Sequence, residues 1–193
     1  MPKQKGQDMK KPRAYICIDA SNSHYYLKKA GWQIDWVKFK AYCEDRYESP
    51  EFFYYEGVPS KGQYFDNHPR HRLTDFIEAK DKKLNYFKFL KQISFKVRHK
   101  PVGRVYDDTA GQYKHKCNFD VEVTIDALDG IDVYDVFVLL SGDGDFVKLI
   151  KYLKGKRKKT VVIAPSERLS DNLEEAANQV IYLEDLEEDI KKA

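Results

Sequence analysis

The sequence contains few cysteines, and their spacing excludes two common uses of this residue. Only three occur among 193 residues, Cys17, Cys43 and Cys117, and no two of them form a CxxC pair. An odd number without that spacing excludes a disulfide scaffold and a cysteine-based zinc site. Unpaired thiols are typical of a reducing compartment, so we expect a cytoplasmic protein.

Long apolar runs and several familiar active-site motifs are also missing. No run of about 18 apolar residues predicts a transmembrane helix. The first residues, MPKQKGQDMKKPR, lack the apolar segment of a signal peptide. Neither GxGxxG after a strand nor GxxxxGK[ST] occurs, which argues against a nucleotide cofactor, and HExxH and GxSxG are absent too. We therefore predict no membrane partner and none of these common chemistries.

The net charge of +3 conceals a strongly uneven distribution of charge. Residues 61–100 contain eleven lysines and arginines against four acidic residues, and residues 154–159 read KGKRKK. Residues 1–12 are predicted to be a flexible basic tail, and residues 13–193 a single domain, which suits this length. A basic excess of this kind favours an anionic partner, first of all nucleic acid. On charge alone, solvated helix faces explain it equally well.

Predicted strands and helices alternate along the chain. Apolar runs predict strands at 14–19, 51–56, 94–99, 133–140, 160–164 and 180–183. Periodic patterns predict helices at 35–46, 73–90, 119–128, 145–153 and 171–177. We expect the second of these helices to break near Asp81, residues 103–116 to form a loop or irregular hairpin, and Asn118 to cap a helix. This alternation predicts an α/β fold with a mostly parallel central sheet flanked by helices.

Four aspartates lie where such a fold gathers its ligands. Asp19 ends the first predicted strand, Asp143 and Asp145 follow the strand at 133–140, and Asp120 lies in the first turn of a helix. Ligands of open α/β sheets bind beyond the carboxyl ends of the strands, so we expect these acids to share a pocket. Crowded carboxylates repel one another unless a hard cation such as Mg²⁺ or Mn²⁺ neutralises them. Acids for a metal within a basic surface are typical of a nuclease.

Each of these residues also has a plainer explanation. Asp19 fits a turn after a strand, and Asp120 fits the positive end of a helix dipole. Asp126 lies six residues after Asp120, on a different face of the helix, and is predicted to be structural. Three other residues are suitable helix caps: Asn22, Asp143 and Asp145. The four acids taken together favour the metal site.

Three segments in this order resemble the NYN (LabA-like) branch of the PIN-like nucleases. They are DASN at 19–22, DVEVTID at 120–126 and SGDGDF at 141–146. The resemblance extends from about residue 13 to residue 186. The chain departs from the family pattern at Cys117-Asn118-Phe119, where a lead-in with Lys or Gly is frequent, and at Asn178, where an acid is common.

This resemblance implies a Rossmann-like PIN fold and hydrolysis of RNA phosphodiester bonds at a divalent-metal site. Asp19, Asp120 and Asp143 would be the core metal ligands and catalytic acids, and Asp145 a fourth. Asn22 would support the site, and we assign Ser141 to the same role.

The leading hypothesis is thus a metal-dependent ribonuclease with Mg²⁺ or Mn²⁺ as its cofactor. Its partner would be single-stranded or structured RNA, and a homodimer is left open. Basic residues in the segment before Asp120 are predicted to contact the RNA backbone: Arg104, Lys114 and Lys116. Two alternatives remain: a non-catalytic RNA-binding module of the same fold, and a small-molecule phosphohydrolase. The extent of the basic surface favours a polymeric substrate over a small one.

Overall fold

The computed structural model describes residues 10–193, in which strands and helices alternate. The strands are β1 (Arg13–Asp19), β2 (Glu48–Val58), β3 (Phe95–Pro101), β4 (Gly103–Asp107), β5 (Gln112–Lys116), β6 (Val136–Leu140), β7 (Lys159–Ala164) and β8 (Gln179–Tyr182). The helices are α1 (Ala20–Ala30), α2 (Trp36–Arg46), α3 (Lys61–Asn67), α4 (Leu73–Gln92), α5 (Asp120–Asp129), α6 (Val147–Gly155), α7 (Asp171–Ala176) and α8 (Glu187–Ile190). Of the predicted basic tail, residues 1–9 lie outside the described residues.

Six strands form one sheet, in the order β3-β2-β1-β6-β7-β8. All five pairings are parallel, which confirms the predicted α/β class and the mostly parallel sheet. The chain builds outward from β1 in one direction through β2 and β3, and from β6 in the other through β7 and β8. The order therefore reverses between β1 and β6, and a crevice opens beyond the carboxyl ends of two such strands.

Helices cover both faces of the sheet, so the molecule has two hydrophobic cores. Alternate residues of β1 supply them, because successive side chains of a strand point to opposite faces. Ala14, Ile16 and Ile18 pack beneath α1, α2, α4 and α8, whereas Tyr15 and Cys17 pack beneath α5, α6 and α7. The site described below lies at the edge where these two layers meet.

The helix that was predicted to break near Asp81 is continuous. It is α4, twenty residues long; it buries Phe87 and Leu90 in the core against the sheet, and Phe76 packs on α3. Asp81 is exposed, so its charge stays in water and does not interrupt the helix. The prediction of a break was therefore wrong.

Residues 103–116 form a regular structure of their own. Strands β4 and β5 pair antiparallel in a separate two-stranded sheet, in unbroken register from Gly103↔Lys116 to Asp107↔Gln112. The side chain of Asp107 accepts hydrogen bonds from the backbone N–H groups of Thr109 and Ala110, which closes the turn. The alternative of a loop was wrong. The polar stretch before α4 likewise contains a helix, α3, that the sequence did not predict.

Three element boundaries differ from the predictions for local reasons. Phe119, not Asn118, occupies the N-cap position of α5, although the Asn118 side chain accepts a hydrogen bond from the Asp120 N–H. The strand predicted from residue 133 begins at Val136, because residues just before it turn. The helix predicted from residue 145 begins as a 3₁₀ turn, Gly144–Phe146, before α6. Among residues 10–193, no helix is long and apolar enough to cross a membrane.

Candidate functional site

Asp19 is the last residue of β1 and lies at the crevice between β1 and β6. It is only 8% exposed. One carboxylate oxygen, Oδ1, accepts hydrogen bonds from the N–H and the hydroxyl of Ser21, at 3.2 and 2.7 Å. The other, Oδ2, accepts one from the Ser141 hydroxyl at 3.3 Å. Asp19 therefore caps α1, a role that the sequence did not predict for it, and also contacts the loop that follows β6.

Ser141 and Asn22 hold that loop against the end of β1. Ser141 is fully buried, and its hydroxyl oxygen accepts a hydrogen bond from the Asp143 N–H at 3.3 Å while donating to Asp19. The Asn22 side chain accepts one from the Gly142 N–H at 2.9 Å. Asn22 thus joins α1 to the loop instead of capping the helix. Through these hydrogen bonds, the two side chains link the end of β1 and the start of α1 to the loop after β6.

Gly142 lets two loops come together at the site. Its carbonyl accepts a hydrogen bond from the Ser170 N–H at 3.0 Å. A Cβ at this position would lie 2.2 Å from the Arg168 carbonyl oxygen, far inside van der Waals contact. The close approach therefore requires glycine.

The remaining acids reach the same edge from α5 and from the start of the 3₁₀ turn. Asp143 is half-buried, and its Oδ1 accepts a hydrogen bond from the Asp145 N–H at 3.0 Å, while Asp145 is exposed. Asp120 is the first residue of α5, and its Oδ2 accepts a hydrogen bond from the Asn118 side-chain amide at 2.6 Å. We call Asp19, Asp120, Asp143 and Asp145 the acidic cluster.

The acidic cluster is held under electrostatic stress. Burial raises the pKa of Asp19, and the nearby charge of Asp120 adds to the rise, against the opposing hydrogen bonds from serines. Burial also raises the pKa of Asp120, and the charges of Asp143 and Asp145 raise it further. Both carboxyl groups are thus harder to ionise than in water, because desolvation and neighbouring negative charge disfavour the anion.

The donor set suits a hard divalent cation that retains part of its water shell. Among residues 10–193, no three side chains of His, Cys, Asp and Glu stand in a ready-made coordination cage. Mg²⁺ commonly uses one or two carboxylates and completes its shell with water, so such a cage is not required. A cation would also relieve the repulsion that raises the pKa values of Asp19 and Asp120. By donor chemistry and by charge, the acidic cluster fits such an ion.

A cavity of about 510 Å³ opens beside the cluster. Asp120 and Asp145 line it together with Lys148 and Lys151 of α6 and with Asn172 of α7. These three further residues were not predicted. Lys148 and Lys151 follow Asp145 at helical spacing, and residues three apart on a helix share a face, but this spacing does not distinguish them from the other lysines of the chain.

The basic residues predicted to contact RNA differ in their surroundings. Arg104 donates two hydrogen bonds to the Asp66 carboxylate, at 2.6 and 2.8 Å, and Lys114 pairs with Asp107. Lys116 has no ion-pair partner within residues 10–193. Its positive charge partly opposes the rise in the pKa of Asp120. The structure therefore brings Lys116 to the acidic cluster, whereas Arg104 and Lys114 are neutralised within the β4–β5 hairpin and α3.

Asp126 lies outside the cluster. Its carboxylate accepts hydrogen bonds from the Tyr55 hydroxyl at 2.8 Å and from Arg98, at 3.0 Å to Nε and 2.7 Å to Nη2. Burial alone would raise the pKa of Asp126, but the bonds from Arg98 and Tyr55 outweigh it and hold the pKa below its usual range. This paired carboxylate joins α5 to β2 and β3.

Two individual proteins resemble this chain over nearly its whole length. The low amplitude and bright protein LabA of Synechococcus elongatus is 27% identical over 183 residues, which are 93% of this chain and 88% of that protein. A crystal structure of a protein of unknown function from Vibrio parahaemolyticus superposes with a TM-score of 0.72 at 22% identity, covering 96% of this chain and 99% of the other. The second likeness shows the fold alone.

One protein family matches most of the domain. The profile of the NYN domain matches residues 13–184, so it includes β1, the acidic cluster and β8. Since the match spans far more than half of the 193 residues, the chain belongs to the NYN domain family, whose members are in general nucleases.

Proposed function

We propose that the protein is a divalent-metal-dependent ribonuclease that hydrolyses RNA phosphodiester bonds at the acidic cluster. The observation that carries this proposal is the meeting of Asp19, Asp120, Asp143 and Asp145 at the carboxyl ends of β1 and β6. The pKa values of Asp19 and Asp120 are raised by burial and by neighbouring acids. Carboxyl groups with shifted pKa values cluster at functional sites, so these shifts support a catalytic role for the acidic cluster.

Asp19, Asp120 and Asp143 would hold Mg²⁺ or Mn²⁺, with Asp145 as a further ligand at the exposed side. When bound, such a cation supplies charge that activates water and stabilises the negative charge of a phosphate under attack. The protein's own residues fix the geometry. Ser141 orients Asp19 and the Asp143 backbone through one hydroxyl, and Asn22 keeps their loops together.

The depth of the four carboxylates differs, which gives the site a direction of approach. Asp19 lies at the buried end and Asp145 at the exposed end, beside the cavity. A phosphate entering from solvent would therefore pass Asp145 first and reach Asp19 last. Cationic residues at the rim would offset the repulsion between the phosphate and the acids.

The test is cleavage of a labelled RNA by the purified protein with Mn²⁺ or Mg²⁺, with and without EDTA. We expect cleavage only with metal. Asp143→Asn should lower the rate at least about 100-fold, because even residues that merely support metal ligands cost 10–100-fold. The matched control is Asp132→Asn, an exposed aspartate before β6, at the opposite edge of the sheet.

Two results would overturn the proposal. One is the absence of any metal-dependent cleavage by the wild-type protein, and the other is equal cleavage by wild type and Asp143→Asn. Salt-sensitive RNA binding without any product would favour the non-catalytic RNA-binding module instead. Turnover of free nucleotides without cleavage of oligonucleotides would favour the small-molecule phosphohydrolase.

A further inference from the structure

The cavity beside the acidic cluster has a basic wall. Lys148 and Lys151 of α6 line it together with Asp145, and both lysines are exposed residues. They are three positions apart on one helix, a rise of about 4.5 Å at 1.5 Å per residue. Two long cationic side chains so placed can reach neighbouring negative groups on one extended ligand.

These lysines also differ from Arg104 and Lys100 in having no acidic partner. Within residues 10–193, neither Lys148 nor Lys151 forms an ion pair. Nearby cations are already neutralised, such as Arg104 by Asp66 and Lys100 by Glu122. A polyanion would meet the full charge of the two lysines, whereas at Arg104 it would have to displace a carboxylate that makes two hydrogen bonds.

The acidic and the basic side chains beside this cavity have opposite effects on an anionic ligand. Asp120 and Asp145 would repel a phosphate, and Lys148 and Lys151 would attract one. A cation bound at Asp120 and Asp145 would neutralise their charges. The next phosphate along a polymeric ligand would then pair with Lys148 and Lys151. The arrangement therefore fits a polymer with repeated phosphates better than a ligand with a single phosphate.

We propose that Lys148 and Lys151 bind the RNA backbone on one side of the bond to be cut, so that the strand leaves the acidic cluster along α6. Lys116 would lie toward the other side of the cluster. This inference rests on the proposed ribonuclease function, because it identifies how the same site holds its substrate. Lys148 and Lys151 are positioning residues and take no part in the chemistry.

The first measurement is RNA binding in EDTA, where no metal-dependent cleavage occurs, with a single-stranded oligonucleotide at several salt concentrations. Each phosphate contact on a single strand contributes about 0.7 to the slope of log K against log salt. Lys148→Gln/Lys151→Gln should therefore lower the magnitude of the slope by about 1.4. The control Lys192→Gln removes the charge of an exposed lysine that follows α8, outside both basic segments, and should leave the slope within about 0.3 of wild type.

The second measurement is cleavage kinetics with metal. The double glutamine variant should raise KM about 10-fold or more with a much smaller change in kcat, and Lys148→Arg/Lys151→Arg should restore KM. A wild-type slope in the double glutamine variant, or an equal loss in Lys192→Gln, would overturn the inference. The binding measurement does not require cleavage. A protein that binds RNA as expected but never cleaves it would therefore refute the proposed function, while the inference that Lys148 and Lys151 bind RNA would still hold.

Discussion

On α5, two aspartates six residues apart have opposite effects on the folded state. Asp126 is paired with Arg98 and Tyr55, which lower its pKa and make its charge stabilising. Asp120 lies among other acids, and burial together with their charge raises its pKa, so its negative charge is destabilising. In the sequence, only their positions on the helix distinguish these two aspartates, because a separation of six residues places their side chains on different faces.

Removal of the charge at Asp120 should stabilise the protein in the absence of metal. A carboxyl group whose pKa is raised by folding is less favourable as an anion in the folded state than in the unfolded chain. We expect Asp120→Asn to increase the free energy of unfolding in EDTA by about 0.5–2 kcal/mol, as when other unfavourable charges are removed. Urea unfolding measures it, with Asp132→Asn as the control, and the same variant should lose cleavage.

Removal of the charge at Asp126 should do the reverse, and its effect should depend on pH. A carboxyl group with a lowered folded pKa stabilises the protein above its unfolded pKa, and that contribution is lost as the pH falls through the folded pKa. Asp126→Asn should cost about 1.5–3 kcal/mol at pH 7, the range for hydrogen bonds to charged groups. The difference from wild type should shrink below about pH 4.

Unfolding of both proteins at pH 7 and in acid, followed by circular dichroism, makes this comparison. A deficit of equal size at both pH values would show that lost packing, and not lost charge, explains the variant. Asp126→Ala extends the series: it also leaves the buried Tyr55 hydroxyl without its acceptor, so it should cost more than Asp126→Asn at either pH.

At the scale of elements, the loop after β6 depends on a second loop pressed against it. Gly142→Ala would place a methyl group 2.2 Å from the Arg168 carbonyl oxygen, and backbone atoms must move to admit it. We expect a loss of about 1–3 kcal/mol, as for other overpacked sites, together with reduced cleavage because Ser141 and Asp143 would shift. The control is Gly155→Ala in α6, where a Cβ meets nothing within 4 Å and stability should not fall.

Thermal unfolding and cleavage assays of both alanine variants test this. Unchanged stability and activity in Gly142→Ala would mean that the backbone at Arg168 moves at little cost and that its contact with Gly142 does not position the site. A variant that is destabilised yet cleaves normally would separate the two roles of the loop contact.

The sequence predicted the elements that bury an apolar face better than those defined by turns. β6 and β7 were predicted because their apolar patterns extend over most of each element. The polar α3 was missed, since its start depends on Ser60 accepting from the Gln63 N–H rather than on an apolar stripe. A charge such as Asp81 breaks no helix when it faces water, which composition alone does not reveal.

At the scale of the whole molecule, topology makes the site. The sequence predicted that acids follow β1 and β6. Because ligands of open α/β sheets bind beyond the carboxyl ends of the strands, these acids were expected to lie close together. It did not predict which cations would be neutralised, because Arg104 and Asp66 are brought together only by tertiary structure. The four aspartates could therefore be predicted, whereas the basic wall formed by Lys148 and Lys151 could not be distinguished from other lysines.

Binding of a divalent cation should stabilise the whole fold, because the cluster joins α5 to the ends of β1 and β6. At a cation concentration 100 times its Kd, linkage gives about 2.7 kcal/mol. For a chain of this length, that raises the Tm by about 5–10 °C. Differential scanning fluorimetry with Mn²⁺ against EDTA should show the rise in wild type and Asp132→Asn, and little or none in Asp143→Asn. A rise of equal size in all three would place the cation elsewhere.

The hydrogen bond from Ser141 to Asp19 spans 122 residues of sequence, and this separation has a consequence during biosynthesis. At about 5–20 residues per second, a ribosome needs roughly 6–24 s to proceed from Asp19 to Ser141. Until then β1 has no β6 beside it, and the nascent chain lacks half of the acidic cluster. Until Ser141 and the acids after it have been made, the nascent chain presents no complete acidic cluster to the messenger being translated or to the ribosomal RNA around it.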